Sequence, residues 1–181
     1  MQEIRPDHPL RRLFAGLVED AFYSQVGMCD PTLTEYLSDL LVTFTHVDRL
    51  NVLRDSLGKQ LEQVAAKVSV SLGRQPRSSA ERELNLYRHI GDYTLFWAGV
   101  YPEQLRRVGA DSTDTLLTYV SQGKRSYAIV SELGKENDAP PASLFRHLST
   151  EFENCIYGLG LVRRGLEHVG TSGTACGELI Y

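Results

Sequence analysis

The apolar residues of this chain step by three and four along almost its whole length, a spacing that only helices turn into continuous faces. Leu10, Leu13, Phe14, Leu17, Ala21 and Phe22 form the first stripe, with Arg11, Arg12, Glu19 and Asp20 mostly between them. Asp7 offers an N-cap and Gly27 a stop. Asp30-Pro31 supplies a second cap with proline in the first turn, ahead of Leu33, Tyr36, Leu37, Leu40, Leu41 and Phe44. The seam continues through Leu50, Leu53, Leu57, Leu61, Val64 and Val68. The β-branched cluster Thr43, Thr45 and Val47 predicts a bend near Thr43–Asp48 that divides two helices.

Ser78-Ser79-Ala80-Glu81 reads as a capping box for a helix running to about Gly99, where Pro102 prevents continuation. Asp111–Asp114 caps the next helix, which carries Leu116, Leu117, Val120, Tyr127, Val130 and Leu133. Gly134–Pro140 is a loop. A last long helix starts near Pro141, with Leu144, Leu148, Phe152, Cys155, Leu159, Val162 and Leu166 on one side. There is no strand alternation, no sustained heptad and no internal repeat. The fold expected is all-α, a single-domain bundle of about five to seven helices over residues 1–170. Residues 171–181, rich in glycine and threonine, are expected to be a flexible C-terminal tail.

Composition narrows the classes of function. The 181 residues are 42% hydrophobic and 23% charged, with a net charge of −4. That is ordinary globular composition, and its sign argues against a nucleic-acid partner. No uncharged run approaches a membrane span, so no membrane partner is expected. Cys29, Cys155 and Cys176 are an odd number with no close pair, neither a disulfide framework nor a zinc site. They fit a reducing cytoplasm.

The helix after Ser79 carries the chemistry of interest. Its first half is amphipathic, with Glu81, Arg82, Asn85, Arg88, His89 and Asp92 on the polar side, but Tyr93-Thr94-Leu95-Phe96-Trp97-Ala98-Gly99-Val100-Tyr101 holds no charge. An all-round apolar helix is buried all round, so Trp97 is expected in the core. His89 and Asp92 stand at the boundary, three apart on one face. A carboxylate there can fix the tautomer of an imidazole and raise its basicity, as a general base requires. Asp39, Thr43 and His46 make a second stripe, and two such stripes facing each other would line one cleft. The plainer reading of each stripe is a solvated helix face with a local ion pair.

No metal and no cofactor are expected. Carboxylate-bridged bundles carry Glu-x-x-His and zinc proteases His-Glu-x-x-His; the chain has neither. No Cys-x-x-Cys-His haem attachment occurs. Gly123-Lys124-Arg125-Ser126 lacks the first glycine of a phosphate loop, Thr118 standing there, and falls within a helical pattern. Gly158-Leu159-Gly160 reads as a close helix contact, and Cys155 as an inert core thiol. Nine tyrosines are more than a plain bundle requires. Those in or beside apolar stripes, Tyr87, Tyr93, Tyr101, Tyr119, Tyr127 and Tyr157, need hydroxyl partners when buried. Arg88, His89, Asp92, Lys124 and Arg125 are the nearest in sequence.

The segment Tyr87-Arg88-His89-Ile90-Gly91-Asp92-Tyr93-Thr94-Leu95-Phe96-Trp97-Ala98-Gly99-Val100-Tyr101-Pro102-Glu103 resembles one in a group of small bacterial all-helical proteins of no assigned activity. The resemblance extends to Tyr36-Leu37-Ser38-Asp39-Leu40-Leu41 and Gly123-Lys124-Arg125-Ser126-Tyr127, about a third of the chain. It implies a bacterial, cytoplasmic, all-helical protein and supplies no site.

Two functions are compatible with these residues. One is a regulatory or accessory helical domain that binds a small ligand or a partner protein, with His46, Asp39, Arg125 and Tyr127 as ligand candidates. The other is an acid/base enzyme for a small molecule, with His89 and Asp92 as catalytic candidates. A homodimer is compatible with either.

Overall fold

The computed structural model describes residues 9–47, 79–103, 105 and 112–175. Every regular element among them is helical, as the spacing predicts. Helix α1 (Pro9–Glu19) widens into a π-helical stretch, Asp20–Val26, and stops at Gly27, whose φ of +80° suits a residue without a side chain. Helix α2 spans Pro31–Val47, α3 Ser79–Val100, α4 Ser112–Leu133, α5 Ala142–Thr150 and α6 Phe152–Ala175.

Asp30 caps α2 as expected: its Oδ1 accepts from the N–H groups of Thr32 (2.9 Å) and Leu33 (3.2 Å). Helix α2 continues unbroken through Thr43 and Thr45 to Val47. The Thr43 hydroxyl donates to the Asp39 carbonyl at 2.8 Å, one way a β-branched residue sits inside a helix. The far side of the expected bend, with its seam from Leu50 to Val68, lies outside the described residues, as do the caps at Asp7, Ser78 and Asp111.

The expected last helix is two. At Glu151 the chain leaves helical geometry (φ −97°, ψ +24°), its N–H still bonded to the His147 carbonyl at 2.9 Å. This turn lets α5 pack against α4 while α6 packs against α3, α1 and the π-helical stretch. Leu144 and Leu148 on one side of the break, and Phe152, Cys155, Leu159 and Val162 on the other, all remain buried. Helix α6 runs on to Ala175, past Gly170.

The core gathers side chains from every helix, including Phe22, Leu37, Leu95, Tyr127, Leu148 and Phe152. Trp97 is half-buried instead of enclosed. It bridges this core to a smaller cluster of Ala98, Leu105 and Tyr119 and meets the Phe96 ring edge-on at 5.9 Å. Tyr157, read as a stripe residue, points outward. The Cys155 thiol is buried and pushed up to about 12 by desolvation, in keeping with an inert core residue.

Helices α3 and α4 run antiparallel and very close. A Cβ on Gly91 would lie 2.6 Å from the Tyr127 ring, and one on Gly123 2.2 Å from Phe152 and 2.6 Å from the Thr94 hydroxyl. Gly158 admits the Phe22 ring to α6 in the same way, at 2.4 Å, which is the close contact expected of Gly158-Leu159-Gly160.

Candidate functional site

Two places flank α3. The first is a polar knot inside the bundle. Tyr36 from α2 and Tyr127 from α4 both donate to Oδ1 of Asp92 on α3, at 2.5 and 2.8 Å. Arg88, one turn earlier on α3, donates from Nε to the Tyr36 hydroxyl at 3.2 Å and stands 4.0 Å from Asp92 Oδ2. Its guanidinium lies over the rings of Tyr36 (5.3 Å) and Phe145 (5.7 Å). Burial, with the Asp92 charge beside them, raises both phenols well above the ordinary tyrosine value, so both stay protonated and act as donors. The knot therefore stitches three helices and satisfies hydroxyls that would otherwise be buried without partners.

All three segments of the noted resemblance meet in this knot. Tyr36 comes from the first, Arg88 and Asp92 from the second, Tyr127 from the third.

The expected cluster of histidines and carboxylates does not assemble among the described residues. No hydrogen bond joins His89 to Asp92, whose Oδ1 is engaged by the two phenols. Burial lowers the His89 imidazole, against the pull of the Asp92 charge, so its neutral form is favoured. Asp39 pairs with Arg11 of α1 at 2.5 Å, and its carboxyl is still raised because burial outweighs that cation. His46 occupies the last turn of α2, and its side chain lies outside the described residues. Gly123-Lys124-Arg125-Ser126 is plain helix within α4. Among the described residues no three His, Cys, Asp or Glu side chains gather as a metal site would require.

The second place is a groove of about 680 Å³ on the outside of the α3/α4 pair. Ile90 and Ser126 form its buried floor and Tyr87 and Gln122 its half-buried sides, with Leu117 and Arg125 exposed at its edges. The antiparallel register, with Gly91 beside Tyr127 and Thr94 beside Gly123, puts Tyr87 and Ile90 at the Arg125 end. Leu117 lies at the other end and is 61% exposed, the most of any large apolar side chain described. Arg125 has no ion-pair or hydrogen-bond partner among the described residues, whereas its neighbour Lys124 is held by Glu153 at 2.9 Å.

Of the six residues singled out from the sequence, the structure thus brings Asp92 and Tyr127 into direct contact and sets Arg125 on the groove. Tyr36 and Arg88 are the members of the knot that spacing alone does not select as a site; the tyrosine excess, with its demand for hydroxyl partners, was their signal. No helix among the described residues is long and apolar enough to cross a membrane. Compared with known proteins, the chain matches no family model, no curated protein and no solved structure.

Proposed function

We propose that this chain is a non-catalytic helical domain with a regulatory or accessory role, and that it binds a partner protein through the groove between α3 and α4. The observation that carries this reading is the groove's unspent chemistry: an exposed leucine at one end and, beside Tyr87 and Ile90 at the other, a guanidinium with no partner among the described residues. On the other flank of α3, Arg88 and Asp92 are engaged with Tyr36 and Tyr127. The groove is open to solvent. Sites for small molecules bury most of the ligand, roughly 70–90% of its surface, which a trough of this form does not do. Protein interfaces instead draw their energy from a few aromatic, apolar and arginine side chains inside a polar rim.

The test is site-specific photo-crosslinking in the cells from which the chain comes. A benzophenone amino acid replaces Leu117 in the full chain, and in a second variant replaces the exposed Arg164 on α6. A discrete adduct from position 117, lost when Arg125→Glu is added, supports the reading. The same adducts from both positions, or none from 117, would overturn it.

A further inference from the structure

The groove's shape and charge also restrict what kind of segment it accepts. Resting on the proposed role of the groove, we infer that the partner presents an amphipathic α-helix whose acidic side chain pairs with Arg125 and whose large apolar side chain covers Leu117.

Both walls of the groove are helices, and their backbone donors and acceptors are used internally. They offer no edge to an extended peptide, whose own N–H and C=O groups would be desolvated without partners. A helical ligand brings those groups already paired. The lining of α4 from Leu117 to Ser126 is about 14 Å long at a rise of about 1.5 Å per residue, enough for more than two turns of a ligand laid alongside. Arg125 supplies the charge preference. Among the described residues no carboxylate neutralises it, and it stands at the groove's edge beside Tyr87 and Ile90. A carboxylate placed there forms a charge-assisted bond, whereas a lysine meets repulsion. Leu117 and Arg125 stand about 12 Å apart along the helix axis, so the partner's apolar and acidic residues should be about seven or eight positions apart.

The experiment is selection of helical peptides displayed on phage, run in parallel against the full chain and its Arg125→Glu variant. Thermal melts of Arg125→Glu and Leu117→Asp that match the parent establish that both fold. The expected binders to the parent carry Asp or Glu about seven or eight positions from Leu, Phe or Met, and weaken about tenfold or more on Leu117→Asp. Selection on Arg125→Glu should replace the acidic residue with Lys or Arg. Binders that need Leu117 but show neither the acidic preference nor the swap would overturn the acidic-helix inference and leave the groove's role standing. Binders indifferent to both substitutions would overturn both. A sedimentation result in which the parent self-associates and Leu117→Asp does not would assign the groove to a second copy of the chain, and so overturn the foreign partner.

Discussion

The two flanks of helix α3 face polar groups with opposite fates. Toward α2 and α4, Arg88 and Asp92 meet Tyr36 and Tyr127, and each hydroxyl and Oδ1 of Asp92 finds a partner. Toward solvent, Tyr87 and Ile90 look onto a groove whose Arg125 finds none among the described residues. One flank of the helix thus has its polar groups satisfied within the fold, and the other borders the groove proposed for association. A polar residue on a helix acquires its meaning from the elements that converge on it, since spacing along its own helix is alike on both flanks.

The contrast is broken most sharply at Asp92. Asp92→Ala removes the acceptor of two buried phenols, and a loss of about 3 kcal/mol in denaturant unfolding is expected, because each buried group left unpaired costs about 1–3 kcal/mol. A loss below about 1 kcal/mol would mean that water replaces the carboxylate and that the knot is not structural. Gly91→Ala should cost about 2 kcal/mol, the usual scale of overpacking, since its Cβ would meet the Tyr127 ring at 2.6 Å. In a Tyr127→Leu background that penalty should shrink, and an undiminished penalty would place the clash elsewhere. Tyr127→Phe keeps the ring and deletes one hydrogen bond, for an expected loss of about 1 kcal/mol.

His89 adds a pH signature to the inner flank. Its folded-state value lies below the ordinary 6.5 because burial disfavours the imidazolium, with Asp92 pulling up and Arg88 pushing down. Below 6.5 the unfolded chain therefore binds more protons than the folded one. The contribution is complete above 6.5 and is lost as pH falls toward the folded value. Stability measured from pH 7.5 to 5 should show this decline in the parent and less of it in His89→Gln. Identical profiles would show that His89 is as hydrated folded as unfolded. The smallest effect belongs to the outer flank. Arg125→Glu should shift stability by no more than about 0.5 kcal/mol while abolishing partner binding. A large loss of stability would transfer Arg125 from association to structure.

Much of the fold is legible in the sequence because apolar periodicity is a local property. Asp30-Pro31, Gly27 and Pro102 mark the ends of helices through their own backbone chemistry, and the structure places boundaries there. The break at Glu151 is not legible. The turn keeps Leu148 and Phe152 on the buried side, so the stripe runs through it without a change of phase. The site is less legible still. Asp92 lies 56 residues from Tyr36 and 35 from Tyr127, and nothing local announces either contact. Asp39 and His46 share helical spacing, yet Asp39 is claimed by Arg11 because α1 packs beside α2. The glycines at 91 and 123 are the local trace of these contacts: each leaves room on its helix for a neighbouring ring, Tyr127 at the first and Phe152 at the second.

The joint between Asp30 and His147 bears on how the chain is made. Asp30 caps α2 with one carboxylate oxygen and meets His147 Nδ1 with the other at 3.0 Å, across 117 residues of chain. Phe22 likewise awaits the notch at Gly158. During synthesis at about 5–20 residues per second, the N-terminal helical pair therefore leaves the ribosome roughly 6–25 seconds before its berth exists. Until α6 is made, Phe22 lacks the Gly158 notch that receives its ring, although Phe22, Leu33 and Leu37 are all sealed in the finished molecule. Slowing translation between α2 and α6 would lengthen the wait of the N-terminal hairpin for the surfaces that finally cover it.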